Sequence, residues 1–528
     1  MTVNSLAIIG TGIMGMGIAQ IAAQAGIQVL LFDAKAGAAA QGRRALQATL
    51  EKLAAKGKFT NEQLQSTLSN LNVIEDIAKI ANVDVVIEAI IENLEIKQQL
   101  FKQLESIVTA ETILATNTSS LAVTAIASDC QHPERVAGFH FFNPVPLMKI
   151  VEVIPGLSTK SSVVETLTDL AKRMGHLGVV AKDTPGFIVN HGGRAYSTEA
   201  LKILGEGIAS FEDIDRILRD GAGFRMGPFE LLDLTGIDVS HPVMESIYNQ
   251  YYFEPRYRPH PLTRQMLEGK KLGRKVGEGF YHYENGQKIT ADTPQQSALE
   301  TSVSKVGSDV SNVTVWIGAD LAEDKKQLVA YLNANNINID DNDKPNPDSL
   351  ALLAIYGEDT TNAAIRYQVN PKQAVAIDML TDLSKHRTLM PSIVTEDNFV
   401  AQAYALFSKS SNSHLNEGSD TAIDATLIAE STGFVAQRVV TMVINLGCDM
   451  AMQGIATPED IDNAVKLGLG YPYGPISWGD ELGAKRILLI LERIYGLTGD
   501  PRYRPSPWLQ RRAKLGISLF TQQSNYRC

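Results

Sequence analysis

The segment LAIIGTGIMGMGIAQIAAQAGIQVLLFD, residues 6–33, decides the fold predicted for the first part of this chain. Residues 6–9 are apolar and predict a buried strand, a glycine motif follows at once, and residues 14–25 predict a helix that ends at Gly26. Residues 28–33 predict a second strand that ends in a carboxylate. This order of strand, glycine turn, helix and strand is typical of a dinucleotide-binding α/β unit.

The glycines and the terminal carboxylate have separate expected roles. Gly10 permits the tight turn, Gly12 lets the backbone approach a pyrophosphate at the helix N-terminus, and Gly15 allows close packing of helix on sheet. Asp33 follows Gly12 by 33 − 12 = 21 residues, where a carboxylate accepts hydrogen bonds from ribose hydroxyls and repels a 2′-phosphate. The predicted cofactor is therefore NAD, held by Gly10, Gly12, Ile13, Met14, Gly15 and Asp33.

Composition limits the classes of partner. The chain has 528 residues, 44% of them hydrophobic and 20% charged, which is typical of a globular protein of several domains. A net charge of −11 argues against nucleic acid or an anionic membrane as the main partner. Three widely spaced cysteines predict neither a disulfide framework nor a cysteine metal site, and we expect no metal. With no targeting or spanning segment in view, a cytoplasmic location is expected.

Further strands are predicted along the first part of the chain. Residues 83–90 and 112–115 are apolar, and small polar residues at 116–120 follow the second of these runs. Such residues at the carboxyl end of a parallel strand lie where these sheets bind ligands, so Ser119 or Ser120 is a candidate site residue rather than only a helix cap. The basic stretch 34–58 is either a solvated helix face or a site for a second, phosphorylated ligand.

The segment GFHFFNPVPLMKIVE, residues 138–152, predicts a strand, a turn and a returning strand. If the strands are antiparallel, His140 and Glu152 become cross-strand neighbours. The carboxylate would then fix the histidine tautomer and favour the imidazolium, which suits a general acid/base. The alternative is that the two residues form a purely structural pair.

At this point the chain resembles the 3-hydroxyacyl-CoA dehydrogenase family. The matching segments follow the family order through roughly the first half of the chain: GTGIMGMGIA from Gly10, VIEAIIENLEIK from Val86, ATNTSSL from Ala115, GFHFFNPVPLMKIVEV from Gly138, KDTPGFIVN from Lys182, GPFELLDLTGID from Gly227 and GEGFY from Gly277. The resemblance implies NAD-dependent oxidation of an L-3-hydroxyacyl-CoA to the 3-oxoacyl-CoA, in fatty-acid breakdown or a related pathway.

The resemblance also implies roles for individual residues. His140 would be the acid/base and Glu152 its partner, with Ser119 and Asn190 near the substrate oxygen. The implied cofactor contacts are Asp33, Glu92, Lys97, Ser119 and Asn143, and the implied CoA contacts are Thr49 and Lys56. The chain departs from the family at Gly192–Gly193, where the family has bulky residues. This departure predicts a roomier acyl pocket, with Arg194 able to receive a distal carboxylate such as that of 3-hydroxyadipyl-CoA.

The second half of the chain repeats the first. The segment STGFVAQ at 431–437 echoes TPGFIVN at 184–190, an offset of 433 − 186 = 247, and PRYRP occurs at both 255–259 and 501–505. We therefore predict an α/β plus α architecture: an NAD-binding Rossmann domain (1–182), a helical domain (183–284), a linker (285–311), a degenerate Rossmann-like domain (312–429) and a second helical domain (430–528). This duplicated layout resembles the dehydrogenases of aerobic phenylacetate breakdown.

The second Rossmann-like domain is predicted to have lost its chemistry. Asp320 and Glu323 replace the second and third glycines of the motif, so no dinucleotide is expected there. His386 is predicted to be the relic of His140, with the neutral Asn398 in place of Glu152; Glu396 could substitute only if the register slipped by two residues. The two helical domains are expected to pack as a pseudo-two-fold pair within one chain, because the helical domain is the family's dimer contact, and a homo-oligomer is also conceivable.

Two other functions are compatible with these residues. One is a non-catalytic protein on the same fold, since fold does not guarantee function. The other is a dehydrogenase of a free hydroxy acid, which would leave Thr49 and Lys56 without a ligand and would be active without CoA. NADH formation from 3-hydroxyacyl-CoA substrates distinguishes both from the main hypothesis.

Overall fold

The computed structural model describes residues 2–289, 312–408 and 425–522. The chain divides into two compact units: Met1–Gly192 together with Met450–Gly474, and Gly193–Asp449 together with Pro475–Cys528. Most of the predicted linker, residues 290–311, lies outside the described residues. The predicted five-part division of the chain stays a prediction.

The first unit is built on an eight-stranded sheet with strand order β3-β2-β1-β4-β5-β6-β7-β8. Neighbouring strands are parallel except β6 and β7, which are antiparallel. The strands are β1 (Ser5–Ile9), β2 (Gln28–Phe32), β3 (Leu71–Val73), β4 (Val85–Glu88), β5 (Ile113–Thr116), β6 (Val136–Phe141), β7 (Ile150–Pro155) and β8 (Leu177–Val180). The predicted first strand, glycine turn and second strand are confirmed.

Helices cover this sheet because its central strands are apolar along their whole length and must be buried on both faces. Leu6, Ile8, Val85 and Ile87 are fully buried in the resulting core. The helices are α1 (Ile13–Gln24), α2 (Ala38–Ala55), α3 (Asn61–Ser69), α4 (Leu94–Ile107), α5 (Val123–Ala127), α6 (Ser161–Arg173) and the short α7 (Val189–Gly192).

The second unit begins with a helical segment. Its helices are α8 (Arg194–Gly205), α9 (Phe211–Arg216), α10 (Pro228–Thr235), α11 (Ile237–Gln250) and α12 (Pro261–Glu268), followed by the hairpin β9 (Tyr283–Glu284) and β10 (Gln287–Lys288). Asp215 holds this segment together by accepting hydrogen bonds from the first-turn amides of Phe229 and Glu230, at 2.9 and 3.0 Å. The predicted helical character of this region is confirmed.

A second, six-stranded sheet follows in the same unit, with order β12-β11-β13-β14-β15-β16. Its strands are β11 (Thr314–Ala319), β12 (Asn338–Ile339), β13 (Leu350–Ala354), β14 (Ala374–Ile377), β15 (Arg387–Pro391) and β16 (Ala425–Leu427), and its helices are α13 (Ala322–Ala334), α14 (Thr360–Tyr367) and α15 (Asp397–Ser408). As in the first sheet, one neighbouring pair, β14 with β15, is antiparallel and the others are parallel. The degenerate Rossmann-like fold is confirmed.

The prediction that His386 corresponds to His140 is wrong. The antiparallel pair β14 and β15 matches β6 and β7, and a short 3₁₀ turn that begins with proline precedes both β6 and β14. The fifth residue counted from the start of β6 is His140, and the fifth from the start of β14 is Asp378. A constant sequence offset failed here because the second copy is longer between this position and the helical repeat: 437 − 378 = 59 residues, against 190 − 140 = 50 in the first copy.

His386 and Asn398 therefore lie elsewhere than predicted. His386 immediately precedes β15, and its Nε2 lies 2.8 Å from the hydroxyl of Thr426. Asn398 lies in α15 rather than on a returning strand. Asp378 instead accepts a hydrogen bond of 3.0 Å from Gln437, which follows Asn190 by the repeat offset of 437 − 190 = 247.

The last segment repeats the helical part. Its helices are α16 (Val435–Met452), α17 (Pro458–Leu469), α18 (Pro475–Leu482), α19 (Ala484–Thr498) and α20 (Pro507–Leu515). Within the second unit, Arg438 of α16 forms an ion pair of 2.9 Å with the buried Glu199 of α8. The two PRYRP segments also meet, because Arg256 donates to the carbonyl oxygen of Arg504 at 2.7 Å and Arg502 to that of Arg258 at 3.5 Å.

One piece of the second copy belongs to the first unit. Residues 450–474, which contain α17, pack with β7, β8 and α7 of the first sheet. Among residues 2–289, 312–408 and 425–522, no helix has the length and apolar character that a membrane crossing needs. The same residues contain no cluster of side chains suited to a metal ion.

Candidate active site

The glycine turn after β1 has the shape that a pyrophosphate needs. Gly10 has a φ of +97°, and a Cβ there would lie 2.5 Å from the carbonyl oxygen of Ala89. A Cβ at Gly15 would lie 1.9 Å from the carbonyl oxygen of Gly10, so α1 packs directly on the turn. Gly12 faces open space, and no side chain caps the N-terminus of α1. Backbone amides at a helix N-terminus attract anions, so these residues fit a dinucleotide.

Asp33 lies at the end of β2 beside this turn. Its Oδ2 accepts hydrogen bonds from the backbone amide and the hydroxyl of Thr11, at 2.8 and 2.7 Å, and its Oδ1 accepts one from the Lys35 amide at 3.0 Å. Burial would raise the pKa of the Asp33 carboxyl, but these hydrogen bonds outweigh burial and lower the pKa below its ordinary value. The side chain is therefore a fixed carboxylate, as discrimination against a 2′-phosphate requires.

Two cavities open on either side of Gly12. The first, the α4 cavity, has a volume of about 800 Å³ and is lined by Gly10, Gly12, Asp33, Ile90 and Gln103 among others. The second, the α2 cavity, has a volume of about 620 Å³ and lies between α1, α2 and the turn at residues 143–146. Asn143 and Thr49 line the α2 cavity, whereas Lys56 does not. Of the two predicted CoA contacts, Thr49 therefore lines one of these two cavities and Lys56 lines neither.

Glu92 organises the loop that carries Ser119. Its Oε1 accepts hydrogen bonds from the Thr118 hydroxyl at 2.7 Å, the Ser119 amide at 3.0 Å and the Ser120 hydroxyl at 2.9 Å. Burial would raise the pKa of Glu92, but the positive charge of Lys97 and these hydrogen bonds lower it. Glu92 is thus an anion that holds the Ser119 loop at the end of β5.

Lys97 is buried rather than open to a ligand. Its side chain is 1% exposed, and its ammonium lies 2.6 Å from Glu88 and 3.3 Å from Glu92. Glu88 also accepts a hydrogen bond of 2.7 Å from the Thr116 hydroxyl and is fully buried. Because the ammonium is paired with both carboxylates, Lys97 contributes to the site indirectly, by holding Glu92 in place.

His140 and Glu152 are directly opposite each other on β6 and β7, which confirms the predicted cross-strand pairing. Nδ1 of His140 lies 2.6 Å from Oε2 of Glu152, and both side chains are buried. A carboxylate only accepts hydrogen bonds, so in the neutral form of His140 the hydrogen is on Nδ1 and Nε2 keeps its lone pair. The ring of His140 packs against Phe142, with centroids 4.4 Å apart.

The other oxygen of Glu152 is held by α7. Oε1 accepts hydrogen bonds from the backbone amides of Ile188 and Val189, at 2.8 and 2.9 Å. The residue before them, Phe187, has a φ of +48°, which is uncommon for a bulky side chain. With three short hydrogen bonds, the Glu152 carboxylate has a single orientation toward His140.

Asn190 and Ser119 are brought together as predicted from the resemblance. The Asn190 side-chain amide donates to the backbone carbonyl of Ser119 at 3.4 Å. A further residue fixes His140 from the other side: the Asn117 side-chain oxygen accepts a hydrogen bond of 2.8 Å from the Phe141 amide. The ends of β4, β5 and β6, the start of β7, and α7 thus meet at one site.

The sequence analysis missed Glu88 and Asn117 as supports of this site. Both lie at or just after strand ends, Glu88 closing β4 and Asn117 following β5, where polar residues of parallel sheets meet. A polar residue at the end of an apolar strand was therefore the available signal. Asn117 and Phe141 are 24 residues apart, and Glu88 ends a strand whereas Lys97, nine residues later, lies on the next helix, so neither pairing could be inferred from spacing.

The roomier pocket predicted at Gly192 is contradicted by the structure. A Cβ at Gly192 would lie 2.9 Å from Cγ2 of Val465 and 3.5 Å from Cε of Met450. The space beside this glycine is thus filled by the second copy, and its small size serves close packing.

In the second sheet, the position of Gly12 is taken by a neutralised carboxylate. Asp320 is buried, forms an ion pair of 2.8 Å with Arg366, and forms another with Arg493. Glu323 is exposed and pairs with Arg486 at 2.8 Å. These arginines would have to leave Asp320 before an anion could approach, which is consistent with the prediction of no dinucleotide here.

Comparison with known proteins identifies relatives along the whole chain. Residues 5–184 match the family model "3-hydroxyacyl-CoA dehydrogenase, NAD binding domain", and residues 186–283 and 433–525 both match "3-hydroxyacyl-CoA dehydrogenase, C-terminal domain". The 3-hydroxyadipyl-CoA dehydrogenase of Escherichia coli K12 is 37% identical over 515 residues, covering 97% of this chain and 98% of that protein.

Two further relatives define the extent of the similarity. Human mitochondrial hydroxyacyl-coenzyme A dehydrogenase is 42% identical over 287 residues, covering 53% of this chain and 91% of its own length. The crystal structure of 3-hydroxybutyryl-CoA dehydrogenase from Escherichia coli K12 superposes with a TM-score of 0.81 at 36% identity, covering 98% of this chain and 99% of that one. The human protein thus matches a single copy, whereas the bacterial ones match the duplicated chain.

Proposed function

The chain belongs to the 3-hydroxyacyl-CoA dehydrogenase family and is an NAD-dependent dehydrogenase of 3-hydroxyacyl-CoA, and we propose that His140 and Glu152 carry its acid/base chemistry. The observation that carries this proposal is the buried contact of 2.6 Å between His140 Nδ1 and Glu152 Oε2. It leaves the lone pair of Nε2 available for a proton.

In this mechanism Nε2 of His140 accepts the proton of the substrate's 3-hydroxyl group. Glu152 stabilises the resulting imidazolium by its negative charge, and the amides of Ile188 and Val189 keep it oriented. Ser119 and Asn190 position the hydroxyl group. NAD, held by the glycine turn and Asp33, supplies the acceptor for the hydride that leaves carbon 3. General acid/base catalysis of this kind contributes about 10² to 10⁴ in rate.

The proposed ligand contacts follow the cavities. The glycine turn (Gly10, Gly12, Ile13, Met14, Gly15), Asp33 and Asn143 contact the cofactor, and Glu92 with Lys97 supports it through the Ser119 loop. Thr49 in the α2 cavity contacts the CoA portion. Lys56, exposed just beyond the end of α2, contributes at most a long-range attraction to the phosphates of CoA.

For the acyl group we propose a six-carbon dicarboxylic substrate, 3-hydroxyadipyl-CoA. The support is the full-length similarity to a protein of that name. A pathway that degrades phenylacetate would use such a substrate. Initial rates with 3-hydroxyadipyl-, 3-hydroxyhexanoyl- and 3-hydroxybutyryl-CoA test this, and equal kcat/KM values for all three would contradict the dicarboxylate preference.

We also propose that the helical segments form a pseudo-dimer within the chain. The reciprocal pattern supports it: Arg256 donates to Arg504 and the repeat-equivalent Arg502 donates to Arg258, as a two-fold axis requires. The ion pair of Arg438 with the buried Glu199 joins the same two segments. The proposed location is the cytoplasm, which suits a chain with few, widely spaced cysteines, of which Cys130 and Cys448 are buried.

The experiment that tests the acid/base proposal compares two histidine variants. His140→Gln should lose most of kcat for NADH formation from 3-hydroxyacyl-CoA while NADH still binds, because the histidine lines neither cavity. The matched control is His132→Gln, since the His132 side chain is 55% exposed. Near wild-type activity in His140→Gln would refute the role of His140. Oxidation of free hydroxy acids at the same rate would refute the CoA contact at Thr49.

A further inference from the structure

A segment of the second copy supports the helix that carries Asn190. Residues 450–474 belong to the first unit, and within it α17 packs against α7, β7 and β8. These three elements hold Asn190, Glu152 and Val180, respectively. The contact thus reaches two elements of the proposed active site from a part of the chain that has no ligand site of its own assigned.

Helices α17 and α7 are in direct contact at two glycines. A Cβ at Gly468 of α17 would lie 2.8 Å from Cγ2 of Val189. In the opposite direction, a Cβ at Gly192 of α7 would lie 2.9 Å from Cγ2 of Val465. Each helix therefore offers a glycine to a valine of the other, and the two backbones approach as closely as packing allows.

The other end of the segment is fixed by hydrogen bonds. The Lys182 amide donates to the carbonyl oxygen of Ile455 at 2.8 Å, and the Lys182 ammonium donates to that of Gln453 at 2.9 Å. The Asp460 carboxylate accepts a hydrogen bond from the backbone amide of Val180 at the end of β8. Since α17 is anchored to β8, it is a fixed wall for α7.

The position of α7 matters for two groups in the site. The Val189 amide donates to Glu152 Oε1 at 2.9 Å, and the next residue, Asn190, donates to the Ser119 carbonyl. The helix comprises only Val189–Gly192, which is too short to keep its own place. Its position must come from the residues packed around it.

We propose that α17 is a positioning element of the active site, with Val465 and Gly468 as its positioning residues. This inference rests on the proposed roles of Glu152 and Asn190. It assigns a catalytic reason for keeping the second copy: the copy supplies the wall that holds Asn190 and the amide donors of Glu152. A change on α17 should therefore alter turnover without touching substrate, cofactor or the reacting atoms.

The test is Gly468→Ala. Its Cβ would start 2.8 Å from Cγ2 of Val189, against an ordinary contact of at least 3.4 Å, so Val189 on α7 must give way by about 0.6 Å. A misplacement of 1 Å costs about 10²-fold in rate, so we expect kcat to fall about tenfold. The KM for NAD should stay within about twofold, because neither cavity includes a residue of α7.

Two further variants separate positioning from loss of stability. Val189→Ala in the Gly468→Ala background removes the two methyl groups that the new Cβ meets, and it should restore kcat at least threefold. Gly496→Ala is the matched control, because Gly496 also lies within a helix of the second copy and a Cβ there meets nothing within 4 Å. This control should keep the wild-type kcat.

Amide exchange supplies a readout that does not depend on turnover. Hydrogen exchange at Ile188 and Val189 should be faster in Gly468→Ala than in the wild type and in Gly496→Ala, because the hydrogen bonds to Glu152 are disturbed. Unchanged exchange together with unchanged kcat would overturn the inference, and so would an equal loss of kcat in Gly496→Ala. If the wild type fails to form NADH, the proposed function fails, and the exchange comparison still decides the role of α17.

Discussion

Replacement of Glu152 by glutamine is the sharpest test of the site, because the two side chains have the same shape. In the wild type the Glu152 carboxylate is the acceptor in three hydrogen bonds. Oε1 accepts from the Ile188 and Val189 amides, and Oε2 accepts from Nδ1 of His140. Glutamine has one accepting oxygen and one donating NH₂ group. In one orientation the NH₂ group faces the Ile188 and Val189 amide donors, and in the other it faces the Nδ1 hydrogen of His140.

The favoured orientation keeps the glutamine oxygen on the two backbone amides. Its NH₂ group then faces Nδ1 and selects the tautomer with hydrogen on Nε2, so Nε2 cannot take the substrate proton. The charge that stabilises the imidazolium is also lost, which is worth about 4 kcal/mol for a pair about 4 Å apart at an effective dielectric constant of about 20. This equals about a 10³-fold loss in kcat, and the comparable loss in a serine-protease triad is about 10⁴-fold.

The assay measures NADH formation under saturating substrate. We expect kcat of Glu152→Gln to fall by about 10³- to 10⁴-fold, while NADH affinity by fluorescence titration stays within about twofold. Glu134→Gln is the control, since the Glu134 side chain is 33% exposed and lies outside the site. A kcat of Glu152→Gln within tenfold of wild type, with NADH still bound, would refute the tautomer argument.

Three other perturbations test separate parts of the structure. Asp33→Asn keeps an oxygen that accepts the hydrogen bond from Thr11 but removes the negative charge. The ratio of kcat/KM for NAD to that for NADP should therefore fall at least tenfold. An unchanged ratio would show that Asp33 does not determine which cofactor is used. Burial raises the pKa of Asp378 to about 6, so its protonated form stabilises the fold below about pH 4, and that stability is lost as the pH rises through 6. The difference in free energy of unfolding between Asp378→Asn and the wild type, measured by urea unfolding, should change by about 3 kcal/mol in favour of the variant between pH 4 and 7. A difference that does not change with pH would contradict the raised pKa of Asp378. A chain truncated after Tyr283 lacks Arg438, the partner of Glu199, and α17, which packs beside Asn190. Light scattering should therefore show self-association of this shortened chain, and its activity should be low. A monomeric, fully active product would contradict both the pseudo-dimer and the α17 proposal.

The sequence by itself determined the features that depend on neighbouring residues. The glycine motif before α1 and Asp33 at the end of β2 could be interpreted because turn, helix and strand are set within about thirty residues. The pairing of His140 with Glu152 was also predictable, since one turn joins the two strands and symmetry about it sets the register. The repeat was visible because most of its matches keep one offset.

Only the tertiary structure decided what depends on residues far apart in the chain. The offset that located the repeat misplaced His386, because the second copy has additional residues between the second sheet and the helical repeat, and Asp378 occupies the position of His140. Lys97 is predicted to contact the cofactor, but the packing of α4 on the sheet buries its charge against Glu88 at the end of β4, nine residues earlier. Gly192 looked like space for an acyl chain, yet Val465 fills that space. A sequence states which side chains are small or charged, whereas the long-range packing of the folded chain decides which atoms lie against them.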